Sequence, residues 1–288
     1  MLTDPYFLYH EALRYEAERD VYTAVKLYKT AARYAPDWAE PPFRLGRLYA
    51  RRAEWKPSYH YSRLATQLDP RHEDSWQNLA LAATALREWR TARLAWNKLG
   101  YSFRLEDRAL NLDMGLVALQ LPRAEGVEIV WARSLDPARA VLESVPQPGS
   151  DFRYGDVLLH DREPCGYRVV RGGTIQVYEA RDLLQRGRFK TYAAVLHTGN
   201  RQNVAILDRM CLDQQIGFDN WTGTVRQLSI DSYERLPEYF GSDFLQRANP
   251  ESFVIGLAAA EQSEIERTLE NWRIVTGATY ELAERPVL

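Results

Sequence analysis

A repeat of 34 residues constrains this chain more than any other feature of its sequence. Pro36 follows Tyr34-Ala35 and Pro70 follows Leu68-Asp69, so two prolines in similar surroundings stand 34 positions apart. A fixed period of this length is typical of helical hairpins that stack side by side, because one hairpin alone cannot bury its apolar face. The period therefore predicts an array of stacked hairpins and sets a register for the residues around each proline.

In that register, small residues recur where two helices must approach closely, and large or aromatic residues recur beside them. These positions are Leu8, Ala12, Tyr15, Ala24, Tyr28, Ala31 and Pro36 in the first unit, Leu45, Gly46, Tyr49, Ala65 and Pro70 in the second, and Trp76, Leu79, Ala80, Ala92, Trp96 and Leu99 in the third. The third unit lacks the closing proline and departs from the pattern as a terminal repeat does.

These residues resemble the tetratricopeptide repeat family over about residues 4–104. The resemblance implies paired antiparallel helices that stack into a right-handed superhelix, with a concave face lined by the first helix of each pair. Transferred position by position, that lining is Tyr6, Tyr9, Leu13, Phe43, Arg47, Arg51, Gln77 and Leu81. The resemblance implies a peptide or protein segment as the ligand of this face.

Two arginines among aromatic residues suit a segment with apolar anchors and a carboxylate, since a guanidinium can bind a carboxylate through two hydrogen bonds. The alternative is that Arg47 and Arg51 form a solvated helix face with Glu54 nearby. The asparagine and lysine set of chaperone-tail clamps is absent from these positions. We therefore expect no binding to the terminal carboxylate of a chaperone.

Single residues within the array predict where its helices start, how tightly they pack and where the array ends. Asp4-Pro5 predicts a helix start, and Asp37 with Glu40 matches a capping box. Pro42, Ser58 and Ser62 predict looser packing of the second hairpin. Residues 101–121 are expected to close the array, and the apolar run within them, Met114 to Leu119, is expected to be a strand or a cap packed on the third hairpin.

The second half of the chain follows a strand-like pattern that begins after Leu121. We expect three domains: a helical array with its closing segment at 1–121, a small β-rich domain at 122–187, and an α/β domain at 188–288. Predicted strands in the middle domain are 127–132, 140–145, 156–160, 166–170 and 174–178, with a turn at 161–164. Five short strands joined by tight turns favour a small barrel or a strongly bent sheet.

The last domain shows two strand–helix–strand units. Their predicted elements are 192–196, 201–216 and 221–229, and then 253–259, 261–276 and 279–283. Two such units in about 100 residues fit a ferredoxin-like sandwich, an antiparallel sheet with two helices on one face. The connection at 231–251 is expected to hold a short helix and exposed aromatic residues. The overall expectation is an α+β multidomain protein.

Composition excludes several classes of function. The chain carries 37 basic and 39 acidic side chains, so it has no global field to attract nucleic acid or an anionic membrane. No apolar run approaches the roughly 20 residues that cross a bilayer, and no signal peptide is visible after Met1. We expect a cytoplasmic protein that binds neither nucleic acid nor a membrane.

Motifs for catalysis, metals or cofactors are missing from the sequence. The five histidines are scattered without metal-ligand spacing, and Cys165 and Cys211 form neither a zinc spacing nor a redox pair. His160 and His197 each fall at the end of a predicted strand, where they could meet as an acid and a base. Trp221 is expected in the core rather than in a stacking site.

The sequence thus favours a bacterial-type, non-catalytic adaptor that needs no cofactor or metal. The array binds a peptide or protein segment, and the C-terminal domains bind a second partner. Two alternatives stay open: an immunity-like inhibitor or small-ligand regulator that acts through the C-terminal domain, and a hydrolase or transferase with an interdomain site. The identity of the partner and the oligomeric state are not encoded in any recognisable motif.

Overall fold

The computed structural model describes residues 4–124, 126–170, 173–222, 227–228, 239–242, 251–284 and 286. The chain divides into two compact units, Met1–Leu110 and Asn111–Leu288. Most of the predicted connection at 231–251 lies outside the described residues.

Three helical hairpins make up the first unit. Their helices are α1 (Pro5–Ala17), α2 (Val21–Tyr34), α3 (Glu40–Arg51), α4 (Trp55–Leu68), α5 (Glu73–Ala85) and α6 (Trp89–Lys98). The small residues of the repeat lie in the core, where Ala12, Ala24 and Ala80 have no exposed surface. The hairpins predicted by the 34-residue period are therefore present, and the small positions lie where helices meet.

The turn inside each hairpin repeats the same backbone conformation. Arg19, Ala53 and Arg87 stand 34 residues apart, and they have positive φ angles of 64°, 54° and 61°. Residues with a Cβ adopt this left-handed region at a cost, so its recurrence at the same register position shows that the hairpin geometry imposes it. The period is thus visible in the backbone as well as in the side chains.

Close packing, not the expected looseness, characterises the second hairpin. Ser58 and Ser62 are fully buried, and the Ser58 hydroxyl donates a hydrogen bond to the Gly46 carbonyl at 2.9 Å. A Cβ at Gly46 would overlap the Ser62 hydroxyl. Pro42 lies in the first turn of α3, where a backbone N–H has no acceptor within the helix. Small side chains on both helices therefore permit the close approach.

Helix starts agree with only part of the prediction. The Asp4 carboxylate accepts a hydrogen bond from the Tyr6 N–H at 2.9 Å, as expected for a cap. The capping box predicted at Asp37 and Glu40 is wrong, because α3 starts at Glu40 with Ala39 in the cap position and no side-chain cap bond. The Glu40 carboxylate is used elsewhere, in a contact described below.

The second unit contains eleven strands and two helices among its described residues. They are β1 (Leu116–Pro122), β2 (Val127–Asp136), β3 (Arg139–Leu142), β4 (Val157–Val170), β5 (Gly173–Gln185), β6 (Lys190–His197), α7 (Arg201–Asp213), β7 (Gly217–Asn220), β8 (Gln227–Leu228), β9 (Tyr239–Ser242), β10 (Phe253–Ala259), α8 (Gln262–Thr276) and β11 (Thr279–Leu282).

Strands β1 to β5 form one sheet in which each strand pairs with two others of the five. The order β1-β5-β4-β3-β2 is closed by a further pairing of β1 with β2, and β8 and β9 add to β2 and β4. Only β1–β5 is parallel within the five. Leu119, Val130, Leu142 and Leu158 are among the buried residues of this sheet's largest apolar cluster. The apolar run before residue 121 is a strand, as one of the two alternatives had it, but the expectation that it packs on the third hairpin is wrong, because it pairs with β2 and β5 of the second unit.

One predicted division within this sheet is wrong. The segments 156–160 and 166–170, expected as two strands with a turn at 161–164, belong to the single strand β4. Its pairing with β5 shifts register between Leu159 and His160, and again before Pro164 and Gly166. Such bulges keep a strand continuous past a proline, which has no N–H to donate to the ladder.

Strands β6, β7, β10 and β11 form a second sheet in the order β11-β6-β10-β7, with every pairing antiparallel. Helix α7 connects β6 to β7, and helix α8 connects β10 to β11. Leu207 of α7 and Leu269 of α8 share one buried cluster with Ile255 of β10, so both helices pack on the same face. The strand expected at Trp221 to Ser229 is displaced, because β7 ends at Asn220.

Candidate functional site

The eight residues expected to line a binding face lie on the first helix of each hairpin, but they differ in exposure. Tyr6 is 59% exposed and the Arg51 side chain 55%, whereas Tyr9 and Phe43 are buried. The remaining four, Leu13, Arg47, Gln77 and Leu81, are partly buried. The exposed part of this set therefore consists mainly of a tyrosine and a pair of arginines.

One carboxylate holds both arginines together. Glu16 Oε1 lies 3.1 Å from Arg47 Nη2 and 3.5 Å from Arg51 Nη1. The other oxygen of Glu16 accepts a hydrogen bond from the Tyr28 hydroxyl at 2.8 Å. Burial, together with this bond to Glu16, raises the pKa of Tyr28 well above its usual value, so the phenol stays protonated. A single negative charge thus faces two positive charges.

One N–H of Arg47 lacks a hydrogen-bond acceptor among the described residues. This group is the Nε–H, whose nitrogen is buried. A buried N–H without an acceptor costs free energy, but this atom has no exposed surface, so a ligand would meet Arg47 through the rest of its side chain, which is 33% exposed. The exposed side chain of Arg51, one turn further along α3, can approach the same ligand.

A second charged group lies between α1 and α3. The Tyr9 hydroxyl donates to Glu40 Oε2 at 3.0 Å and accepts a hydrogen bond from Arg44 Nε at 3.2 Å. Burial raises the pKa of Tyr9, which keeps this hydroxyl a donor to Glu40. Tyr9 is therefore a structural link between two helices, and it presents little surface to a ligand.

Aromatic rings adjoin these charges. The Trp38 ring centroid lies 4.7 Å from that of Tyr6 and 4.7 Å from that of Tyr9. Phe43 packs edge-on against His72 with centroids 4.5 Å apart. Since Tyr6 is exposed and packs on Trp38, which also packs on Tyr9, the two rings offer an apolar contact near the group formed by Tyr9, Glu40 and Arg44.

Four members of this cluster were not predicted from the sequence as site residues: Glu16, Trp38, Glu40 and Arg44. Glu16 follows Leu13 by nearly one helical turn, so the helical period of α1 contains the signal that places it on the same face. Trp38 lies in the loop between α2 and α3, where no period applies. Glu54, which the alternative of a solvated helix face expects near the arginines, pairs with Arg52 at 2.7 Å.

His160 and His197, considered above as an acid and a base, lie in different surroundings. His160 is buried in β4, with its ring against Tyr178 at 5.0 Å and its Nδ1 2.6 Å from the Asp161 carbonyl. His197 is exposed at the end of β6, in the other sheet, and its Nε2 lies 3.1 Å from Glu281 Oε1. A general base must reach a substrate proton, and the buried ring of His160 offers no surface for one.

The two cysteines are unreactive by their surroundings. Burial raises the pKa of the Cys165 thiol to about 11 and that of the Cys211 thiol to about 12. A thiol with so high a pKa is hardly ionised at neutral pH, and only the thiolate is a good nucleophile. Across the part of the chain that the structure describes, no cluster of histidine, cysteine or acidic side chains could hold a metal ion. No helix in that part is long and apolar enough to cross a membrane.

Comparison with known proteins gives structural likenesses for the N-terminal third. No protein-family model matches the chain, and no curated protein matches it. The array is similar to the tetratricopeptide repeat domain of Sgt2 from Aspergillus fumigatus, at 23% identity and a TM-score of 0.31 over 33% of this chain and 62% of that one. The chain thus spans less than two thirds of the Sgt2 structure.

Two further likenesses are to domains solved with peptides. The TPR2B domain of yeast Sti1 in a pHsp70 complex shares 20% identity, with a TM-score of 0.31 over 33% of this chain and 75% of that one. The first TPR of Spaghetti (RPAP3), bound to the HSP90 peptide SRMEEVD, shares 15% identity, with a TM-score of 0.32 over 34% and 79%. At these TM-scores no property of those proteins transfers to this chain.

Proposed function

We propose that this chain is a cytoplasmic, non-catalytic adaptor of bacterial type whose helical array binds a peptide or protein segment. The binding face is the surface of α1, α3 and α5 that contains Tyr6, Tyr9, Leu13, Phe43, Arg47, Arg51, Gln77 and Leu81. The observation that carries the proposal is the sharing of the Glu16 carboxylate by Arg47 and Arg51.

Charge supports an acidic group on the ligand. Among the described residues, Arg47 and Arg51 share the carboxylate of Glu16, and Arg44 is linked to that of Glu40 through the Tyr9 hydroxyl, so three guanidiniums stand against two carboxylates in these contacts. A ligand carboxylate between Arg47 and Arg51 would gain charge-assisted hydrogen bonds to the exposed parts of the two guanidiniums. The Tyr6 and Trp38 rings, nearer the start of α1, suit an aromatic or aliphatic anchor at another point along the same extended ligand.

For the rest of the chain, we propose a small barrel and a ferredoxin-like domain at 188–288, which together bind a second protein. The barrel, expected at 122–187, includes β1 and so begins at Leu116. The closed pairing of β1 to β5 supports the barrel. The β11-β6-β10-β7 order, with helices on one face and each helix joining strands that are not neighbours, supports the ferredoxin-like label. Both labels are fold-level arguments, and neither names a partner.

Arg51→Ala is the sharpest test of the array's binding face, because the next residue provides a matched control. Arg51 and Arg52 are both about half exposed and each contacts one glutamate. The probes are two extended peptides that each contain a tryptophan anchor, identical except that one has a glutamate where the other has a glutamine. We expect the wild-type chain to prefer the glutamate peptide by about tenfold, because a charge-assisted pair contributes on the order of 1.5–3 kcal/mol.

Arg51→Ala should abolish that preference, and Arg52→Ala should keep it, as measured by fluorescence anisotropy. Equal preference in the wild type and in Arg51→Ala would show that the arginines form a solvated helix face. Loss of the preference in Arg52→Ala alone would move the binding surface toward Glu54.

A further inference from the structure

Within the first unit, helix α6 binds the backbone of the chain segment that follows it. Residues 101–110 follow α6 and form neither helix nor strand. We call residues 103–108 the strap. Asn97 Nδ2 donates to the Phe103 carbonyl at 2.8 Å, and the Phe103 N–H donates to Asn97 Oδ1 at 2.7 Å. One side-chain amide thus pairs with both backbone groups of a residue, as a neighbouring strand would.

Arg93 and Arg90 extend this contact along the strap. Arg93 Nη1 donates to the Arg104 carbonyl at 2.7 Å, and its Nη2 donates to the Arg108 carbonyl at 2.8 Å. Arg90 Nη1 donates to the Leu105 carbonyl at 3.1 Å. Only 6% of the Arg93 side chain is exposed, so this guanidinium depends on those carbonyls for its hydrogen bonds.

The three donors form one stripe on α6. Arg90, Arg93 and Asn97 follow the i, i+3, i+7 spacing that brings side chains onto one helix face. We call this stripe the strap face. The stripe matches the strap in length, since it contacts carbonyls from Phe103 to Arg108.

Recognition of the strap depends on its backbone. Its carbonyls accept hydrogen bonds from α6, while the side chains of Arg104, Leu105, Asp107 and Arg108 are exposed. Phe103 and Glu106 are the exceptions: the Phe103 ring stacks on Tyr101 with centroids 5.2 Å apart, and Glu106 Oε2 lies 3.9 Å from Arg93 Nη2. A surface that binds mainly main-chain groups accepts many sequences, provided that the segment is extended, and it favours an aromatic residue at the first of these positions and a carboxylate at the second.

We propose that the strap face is a second peptide-binding surface, separate from the face of α1, α3 and α5, and that the chain's own strap occupies it in this structure. Its ligand is an extended segment of a partner protein with an aromatic residue at the place of Phe103. The strap excludes such a segment because a tethered ligand has an effective concentration on the order of millimolar. Weakening the strap therefore opens the surface.

Phe103→Pro weakens the strap without touching α6. Proline has no N–H to donate to Asn97 Oδ1, and the change also removes the ring that stacks on Tyr101. The probe is a fluorescent peptide with the sequence of residues 101–110. We expect the probe not to bind the wild-type chain. It should bind Phe103→Pro with a dissociation constant of about millimolar or lower, and it should not bind the double variant that combines Phe103→Pro with Asn97→Leu.

Limited trypsin digestion reports the strap itself. Trypsin cleaves after arginine, and the carbonyls of Arg104 and Arg108 are the groups that Arg93 binds. We expect cleavage at both sites to be about tenfold faster in Phe103→Pro than in the wild type. Arg93→Met should have the same effect, whereas Arg63→Met, at an exposed arginine of α4, should not.

A probe peptide N-methylated at its phenylalanine tests whether the backbone is recognised. It should bind Phe103→Pro about tenfold more weakly than the unmodified probe, because one hydrogen bond to Asn97 is lost. Phe103→Gly, a milder change, replaces Phe103→Pro if the proline variant is not folded by circular dichroism. The proposal would be overturned by a folded variant whose strap is cleaved faster by trypsin but which does not bind the probe with a dissociation constant of about millimolar or lower. Unchanged cleavage in both strap variants would overturn it as well.

Discussion

Trp221→Ala is expected to lower the free energy of unfolding of the second unit by about 3–5 kcal/mol, the usual range for removing a buried tryptophan. Trp221 is only 9% exposed, and its indole Nε1 donates to the Val145 carbonyl at 3.0 Å. Val145 follows β3, and its N–H donates to Asp219 Oδ2 of β7 at 2.6 Å. The change therefore removes apolar contact and a hydrogen bond where one sheet meets the other.

Gly256 provides a matched test of the same contact. A Cβ at Gly256 would overlap the Trp221 ring, so the glycine leaves the space that the indole occupies. In urea unfolding, we expect Gly256→Ala to destabilise the wild-type chain and to have little further effect in Trp221→Ala. Trp221→Phe should cost less than Trp221→Ala, because it keeps a ring and loses only the hydrogen bond and part of the area. Additive effects of the two alanine changes would contradict this packing.

Acidification is expected to destabilise the second unit through His160. Its Nδ1 faces a carbonyl, which can only accept, so Nδ1 carries the proton and Nε2 holds the lone pair. Nε2 is buried and has no hydrogen-bond partner among the described residues. Burial lowers the pKa of His160 below its usual 6.5, although the bond to the Asp161 carbonyl and the charge of Asp136 act in the opposite direction.

The sign of the effect follows from proton binding. Because the pKa of His160 is lower in the folded chain, the unfolded chain binds more protons as the pH falls below 6.5. The stability that the neutral His160 ring contributes is fully present above pH 6.5. Below that pH it declines by about 1.4 kcal/mol per pH unit until the lower pKa of the folded state is reached. The expected result is therefore a loss of stability as the pH falls from about 7.5 through 6.5, at a slope from this group of no more than about 1.4 kcal/mol per pH unit.

His160→Gln separates this effect from general acid denaturation. Glutamine can donate to the Asp161 carbonyl, but it does not titrate. Urea unfolding followed by circular dichroism between about pH 7.5 and pH 5 should show a shallower decline of stability with falling pH for His160→Gln than for the wild-type chain. Parallel pH profiles for the two chains would show that the His160 ring is hydrated or charged in the folded protein.

The sequence could predict the array because its signal is periodic. Small residues such as Ala12, Gly46 and Ala80 recur at 34 residues, and the helices between them follow from that register. The same register placed Arg47 and Arg51 on one helix face. It could not show that Tyr9 is buried, because the Trp38 ring that packs against it comes from a loop with no periodic pattern.

Contacts between distant segments account for the remaining differences. The strand β4 runs through a stretch of charged residues and Pro164 that reads locally as a turn, and only its pairing with β5 shows that the strand continues. The strap was not predicted either, since Arg93 binds carbonyls that every residue possesses. Interactions with the backbone leave no residue pattern in the segment that is bound.

The most direct test of the central claim is a crosslinking measurement at two exposed tyrosines. Tyr6 lies on the proposed binding face and is 59% exposed, and Tyr22 lies on α2 and is 81% exposed. Each is replaced in turn by the photoreactive residue p-benzoylphenylalanine, and the glutamate-containing tryptophan peptide described above is the ligand. The proposed function predicts crosslinking from position 6 and none from position 22. Crosslinking from position 22 alone would contradict it.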